Sequence, residues 1–252
     1  MALLALFEEL IHQGAPPLRY VETHAGDGLY PLGSAGEWGD GALRLFTHAQ
    51  QPGLVSRFAE LVRGFSGPGA TRPGTYPGSP AIAAKRLRAE DSLLLHELDP
   101  RAAALLRKAL PKAEVREANG FDGLAGAVHG GERVLALIDP PYTGKQEWTD
   151  AARALAAARV SNPEAALLLW YPIKALTRPR ALLPELSKQG VHGVAVELHW
   201  TPLRLKREKL NGSGLLFVNC PPDALAAFCA ALPALGALLQ THGEWQAVQI
   251  GF

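Results

Sequence analysis

The sequence is short of cysteine, of methionine and of net charge. Its 252 residues include two cysteines and one methionine. No C-x-x-C or H-x-x-x-H spacing occurs, so neither a disulfide framework nor a zinc site is written into the chain. A reduced, cytosolic protein is the expectation. Lys and Arg number 25 against 24 Asp and Glu, a formal charge of +1. That excludes a protein that coats nucleic acid by bulk charge and leaves room for a local basic patch. The opening Met-Ala-Leu-Leu-Ala-Leu-Phe-Glu-Glu-Leu lacks the basic flank and cleavage site of a signal peptide. The longest uncharged apolar stretch, 224–239, is shorter than a membrane span and is broken by Pro233 and Gly236, so no membrane partner is expected.

What is present is a chain long enough for one α/β domain with an insertion, or two small domains, 48% of it hydrophobic. Leu3, Leu6, Phe7, Leu10 and Ile11 predict an opening helix stopped by Gly14 and the prolines 16 and 17. A strand over 18–23 runs into the turn His24-Ala25-Gly26-Asp27-Gly28. No strand is predicted from Pro31 to Gly78, where 42–49 and 54–65 read as helices. Regular alternation follows. Helices are predicted over 80–89, 100–110, 120–129, 148–160, 179–189 and 224–239. Strands are predicted over 92–98, 114–117, 133–139, 165–171, 193–199, 214–218 and 245–250. Such alternation implies a mostly parallel sheet covered on both faces, with ligands outside the carboxyl ends of its strands.

The strongest local signal is Leu137-Ile138-Asp139-Pro140-Pro141-Tyr142, an apolar strand that delivers an acid, two prolines and an aromatic ring. The prolines lock φ and carry no N–H, so the Asp139 and Pro140 carbonyls point in fixed directions. The Asp139 carboxylate and the Pro140 carbonyl suit the two N–H donors of a planar amino group. Tyr142 suits the face of the ring that bears it. Glu97 ends a strand, where an acid can accept from ribose hydroxyls. Ser79, before Pro80, reads first as a helix N-cap. His96, His129, His192, His199 and the two cysteines have no partner pattern and are expected to be structural or exposed. The first turn lacks G-x-G-x-x-G, which disfavours a nicotinamide dehydrogenase.

These residues resemble a known family. Asp-Pro-Pro-Tyr after a strand is the signature of S-adenosylmethionine-dependent amino-group methyltransferases. With 20–28, Tyr76-Pro77-Gly78-Ser79-Pro80, 95–100, Leu169-Trp170-Tyr171-Pro172 and Asn211-Gly212-Ser213-Gly214, in that order, the chain is similar to bacterial 23S ribosomal RNA adenine-N6 methyltransferases from about Leu18 onward. The resemblance implies a Rossmann-like α/β fold with a seven-strand sheet, 1–30 and 79–252 being the methyltransferase domain and 31–78 a helical insertion after the first strand. It implies that Asp139, Pro140 and Tyr142 are catalytic. It further implies that His24, Gly26, Ser79, Glu97, Asn119, Gly120 and Asp139 bind S-adenosylmethionine, leaving S-adenosylhomocysteine as product and needing no metal. Asn119 stands where the family has Asp. The family's opening segment, with its His-Ala-Gly-Asn run, has no counterpart before the first helix, and weak cofactor affinity is the expectation. The partner implied is protein-poor 23S RNA met by a monomer, with phosphate contacts from Arg204, Lys206, Arg207 and Lys209. The tetrapeptide alone does not choose among RNA adenine, DNA adenine and protein glutamine, and a cofactor-binding protein without catalysis is the alternative of a different class.

Overall fold

The structure is a computed structural model that describes residues 1–33, 41–47, 53–67, 70, 72, 74–130, 133–202, 204, 210–240 and 243–252. Helix α1 (Ala2–Leu10) leads into β1 (Leu18–Glu22). A small antiparallel ribbon, β2 (Leu29–Pro31) with β3 (Thr75–Pro77), brackets α2 (Ala42–Thr47) and α3 (Leu54–Arg63). There follow α4 (Ser79–Arg86), β4 (Ser92–His96), α5 (Pro100–Ala109), β5 (Glu114–Arg116), α6 (Gly120–Val128) and β6 (Arg133–Ile138). The chain continues with α7 (Gln146–Ser161), β7 (Ala166–Ile173), α8 (Thr177–Lys188), β8 (Val194–His199) and β9 (Gly212–Val218), then closes on α9 (Pro222–Leu239) and β10 (Gln246–Gly251).

The large sheet has the order β10-β8-β9-β7-β6-β1-β4-β5. Strands β5, β4, β1, β6 and β7 pair in parallel, β9 runs antiparallel between β7 and β8, and β10 runs antiparallel along β8. The sheet therefore has eight strands rather than seven, the extra one being the half-exposed edge strand β10. Parallel strands buried on both faces need unbroken apolar runs. The sequence Arg-Val-Leu-Ala-Leu-Ile of β6, buried from Val134 onward, is one. Side chains of α1, α3, α4, α5 and α9 fill one face of the sheet, and those of α6, α7 and α8 the other.

From β1 the chain moves outward to β4 and β5, then returns to place β6 on the other side of β1. The crevice at that reversal is bordered by the ends of β1, β4 and β6. Local chemistry sets the helices around it. Asp99 caps α5 by accepting from the Arg101 N–H at 2.8 Å, with Pro100 in the first turn.

Two expectations change. Ser79 is not an N-cap: Gly78 holds that position, and the Ser79 hydroxyl donates to the Glu22 carboxyl instead. Within 31–78, where the sequence predicts no strand, Thr75–Pro77 pairs with β2. Arg88 grips both carboxylate oxygens of Asp91 and reaches the carbonyls of Ala15 and Pro16, which ties the approach to β1 to the start of β4. By length and apolar composition α9 matches a membrane span. Here Ala224, Phe228, Ala231 and Leu232 are buried beside α1 and α3, and much of its outer side is alanine.

Candidate active site

Strand β1 ends on Glu22, a fully buried carboxyl. It accepts from the Tyr20 hydroxyl at 2.9 Å and from the Ser79 hydroxyl. Burial pushes it up to about 8; the two hydroxyls oppose the rise, while Asp139 and Glu97 add to it by charge repulsion. At neutral pH this group holds its proton. Sequence reasoning passed over Glu22, although an acid closing an apolar strand before a glycine turn was a visible signal.

The folded state binds this proton between the ordinary carboxyl range and about pH 8, where the unfolded chain has released it. Its stabilising contribution is therefore complete below about 4.5 and is lost as pH rises toward and through 8. Glu22→Gln is expected to match wild type near pH 5 and to exceed it by about 1–3 kcal/mol near pH 8, read from denaturant unfolding at both pH values. Parallel pH dependences in the two proteins contradict this.

The turn after β1 is stapled to the end of β4. Glu97 accepts from the Gly26 N–H at 2.7 Å through one oxygen and from the Asp99 N–H at 2.9 Å through the other. Each oxygen keeps a lone pair for another donor. Gly26 sits at φ +61, and a Cβ there would meet the Tyr30 hydroxyl at 2.2 Å. His24 lies edge-on to Phe121, centroids 4.6 Å apart, with Nδ1 2.8 Å from the Thr23 hydroxyl. Burial lowers its imidazole to about 4, so it is neutral at pH 7.

Asn119 caps α6, accepting from the Phe121 N–H at 3.0 Å. Gly120 then presses on β1: a Cβ would lie 2.0 Å from the Thr23 carbonyl oxygen. This glycine is required by close backbone approach, whatever else it binds.

At the end of β6, Asp139 is mostly buried and its carboxyl is raised by that burial to about 6. Among the described residues no group hydrogen-bonds to it, nor to the Pro140 carbonyl. Tyr142 adopts φ +50, a left-handed conformation costly for an aromatic residue. Packing holds it there. Its ring lies 4.5 Å from Trp148 and 6.0 Å from Trp170, and its hydroxyl donates to the Trp170 carbonyl at 2.9 Å. Tyr142 as a whole is 9% exposed, which leaves little of it open.

The structure thus gathers His24, Gly26, Ser79, Glu97, Asn119, Gly120 and Asp139 through Tyr142 along the ends of β1, β4 and β6 and the turns beside them. Arg204 stands apart, in a two-pronged ion pair with Glu244 at 2.9 and 2.8 Å. Lys206, Arg207 and Lys209 lie outside the described residues. Among the described residues no three His, Cys, Asp or Glu side chains gather as a metal would require.

Residues 15–250 match the family model described as ribosomal RNA large subunit methyltransferase D, RlmJ. Ribosomal RNA large subunit methyltransferase J of Escherichia coli (strain K12) is 32% identical over 227 residues, 86% of this chain and 80% of that protein. Its namesake in Haemophilus influenzae is 28% identical over 234 residues, 89% and 83% of the two chains. A crystal structure of a Legionella pneumophila protein superposes with a TM-score of 0.89 at 27% identity, covering 99% of this chain and 93% of the other. With nearly its whole length matched, the chain belongs to the RlmJ family of ribosomal RNA large subunit methyltransferases.

Proposed function

We propose that this protein methylates the N6 amino group of an adenosine in 23S ribosomal RNA, with S-adenosylmethionine as the donor. One observation carries the reading: a mostly buried carboxylate, without a hydrogen-bond donor among the described residues, beside a proline carbonyl at the crevice where the strand order reverses. An amino group on a planar base presents two N–H donors, and these are two acceptors. Family membership and the names of the relatives support RNA as the substrate.

The residues present fit the donor. The carboxylates of Glu97 and Asp139 both lie close enough to Glu22 to help keep it protonated, and a crevice bordered by two such carboxylates favours a cation. S-adenosylmethionine, when bound, supplies an activated methyl on a positively charged sulfur. Glu97 would hold its ribose, His24, Gly26 and Ser79 its methionine part, and Asn119 with Gly120 its adenine.

The protein's own work is positioning and charge. Asp139 and Pro140 accept one N6–H each, which turns the nitrogen lone pair out of conjugation and stabilises the positive charge that develops on nitrogen. One N6 proton is then released. A base held by its amino edge cannot remain paired, so the target adenosine is taken out of any helix. Such a reaction places the protein in the cytoplasm with the ribosomal RNA.

The test is mass-spectrometric mapping of N6-methyladenosine in 23S RNA from cells with and without the gene. One adenosine losing its methyl group in the deletion strain, regained when purified protein and S-adenosylmethionine are added to the RNA, is the expected result. An unchanged map, or methyl incorporation only into duplex DNA or protein, overturns it.

A further inference from the structure

We infer that the cleft between α8 and the β8–β10 edge is a second RNA subsite, which takes one unpaired nucleotide of the strand carrying the target base. The inference rests on the RNA-methylating reading above. The cleft encloses about 810 Å³, within the range of small-ligand sites, and opens beside the carboxyl end of β8. Strand β8 lies three strand spacings from β6, or about 14 Å, along the sheet edge where Asp139 sits.

Its wall carries chemistry that packing alone does not call for. Glu197 and His199 share one face of β8, two residues apart. The Glu197 carboxylate, 5% exposed, accepts from the Tyr171 hydroxyl at 2.8 Å and lies 3.0 Å from His199 Nε2. Burial pushes that carboxyl up. The hydrogen bonds from His199 and Tyr171, with the nearby Arg180 charge, outweigh it and hold the group ionised, below the ordinary range. An ionised carboxylate only accepts, so Nε2 carries the hydrogen and Nδ1 is the ring nitrogen left for another partner. A ring fixed in this way on a cleft wall offers Nδ1 to the edge of a base.

Two further groups complete a nucleotide site. Arg180 is exposed, lines the cleft and makes no ion pair among the described residues, so its guanidinium suits a phosphate. The Trp245 ring presses on α9 where Gly236 has no side chain, since a Cβ there would meet the indole at 2.3 Å. Trp245 is 36% exposed and lines the cleft, so the part of its indole that α9 leaves uncovered offers a base something to stack on.

Continuity with the Asp139 site identifies the occupant. Tyr171, which holds Glu197, has its ring 6.1 Å from Trp148, and Trp148 in turn packs on Tyr142. A strand whose target base lies at Asp139 therefore meets this wall within a few nucleotides. A base neighbouring an extruded adenosine has lost a stacking partner, and the cleft replaces it.

The experiment uses the full-length protein and an RNA hairpin that it methylates, together with versions made abasic at single positions flanking the target. Arg180→Ala and His199→Gln are expected to raise KM for the RNA about tenfold while leaving kcat at saturating RNA and cofactor affinity unchanged. Arg180 is exposed, so its removal does not threaten the fold. One abasic position should cost wild type a similar factor and cost His199→Gln nothing further, the signature of a shared contact. Unchanged KM in both variants, or abasic losses that simply add to those of His199→Gln, overturns the subsite while leaving the methylation reading intact. A wild-type protein that methylates no RNA removes both.

Discussion

Asp139→Ala is expected to lower methyl transfer on the order of 1,000-fold while S-adenosylmethionine still binds measurably. In the proposed reaction the Asp139 carboxylate accepts from the N6 amino group, and loss of one preorganised partner of developing charge costs about 10²–10³-fold. The proposed cofactor contacts from Glu97 and the β1 turn should remain, because the hydrogen bonds there run between Glu97, Gly26 and Asp99 and none involves Asp139. Isothermal titration with the cofactor, beside single-turnover methylation, separates the two effects. Near-normal turnover removes Asp139 from the mechanism. The wild-type pH profile carries the same assignment. In the proposed mechanism Asp139 is ionised when it accepts from N6–H, and its carboxyl is raised to about 6, so kcat/KM should fall about tenfold per unit below that pH. The opposite slope would mean that the protonated form is the active one.

The largest structural effect is expected at Gly120. An alanine Cβ would stand 2.0 Å from the Thr23 carbonyl oxygen and 2.5 Å from its Cα. Both are backbone atoms, and Thr23 is pinned on its other side by its N–H to the Leu137 carbonyl at 3.1 Å. Neither α6 nor β1 can yield without breaking the sheet or the Asn119 cap. Gly120→Ala should therefore cost about 3 kcal/mol, the upper end of overpacking, and lower Tm by roughly 6–12 °C. Gly126→Ala is the control in the same helix. Nothing lies within 4 Å of its Cβ, and alanine gains helix propensity, so a neutral or slightly stabilising change is expected. Equal melting of the two variants would mean that α6 does not press on β1 as described.

The parts legible in the sequence were those with local chemistry. Asp139 to Tyr142 announces itself because an apolar run, an acid and two prolines stand side by side. The alternation of strand and helix likewise repeats within short windows. What escaped depends on distant residues. The partners of Glu22 include Ser79, 57 positions away, and without that contact Ser79 looks like a cap. The ribbon strands Leu-Tyr-Pro and Thr-Tyr-Pro are three residues each, too short for any period to show and closed by prolines. His199 appeared partnerless because its carboxylate lies two positions back on the same strand face, and only the Tyr171 hydroxyl from β7 shows that the pair is one network. The strand at 245–250 was foreseen, whereas its place as an eighth member of the sheet follows from pairing with β8 alone.

The β2–β3 ribbon also bears on how this chain can change. Its ladder brings Leu29 opposite Pro77, and the Leu32 N–H meets the Gly74 carbonyl at 2.9 Å, so the polypeptide leaves the large sheet and rejoins it at one point. The helices α2 and α3 belong to a cassette with its two ends already clasped. Lengthening it, trimming it or exchanging it would leave Ser79 beside Glu22, provided the replacement supplies an apolar side like that of Leu54, Val55 and Phe58 for α1 and α9 to rest on. Changes between residues 31 and 78 and changes at the ends of β1, β4 and β6 are thereby free to accumulate independently on one scaffold.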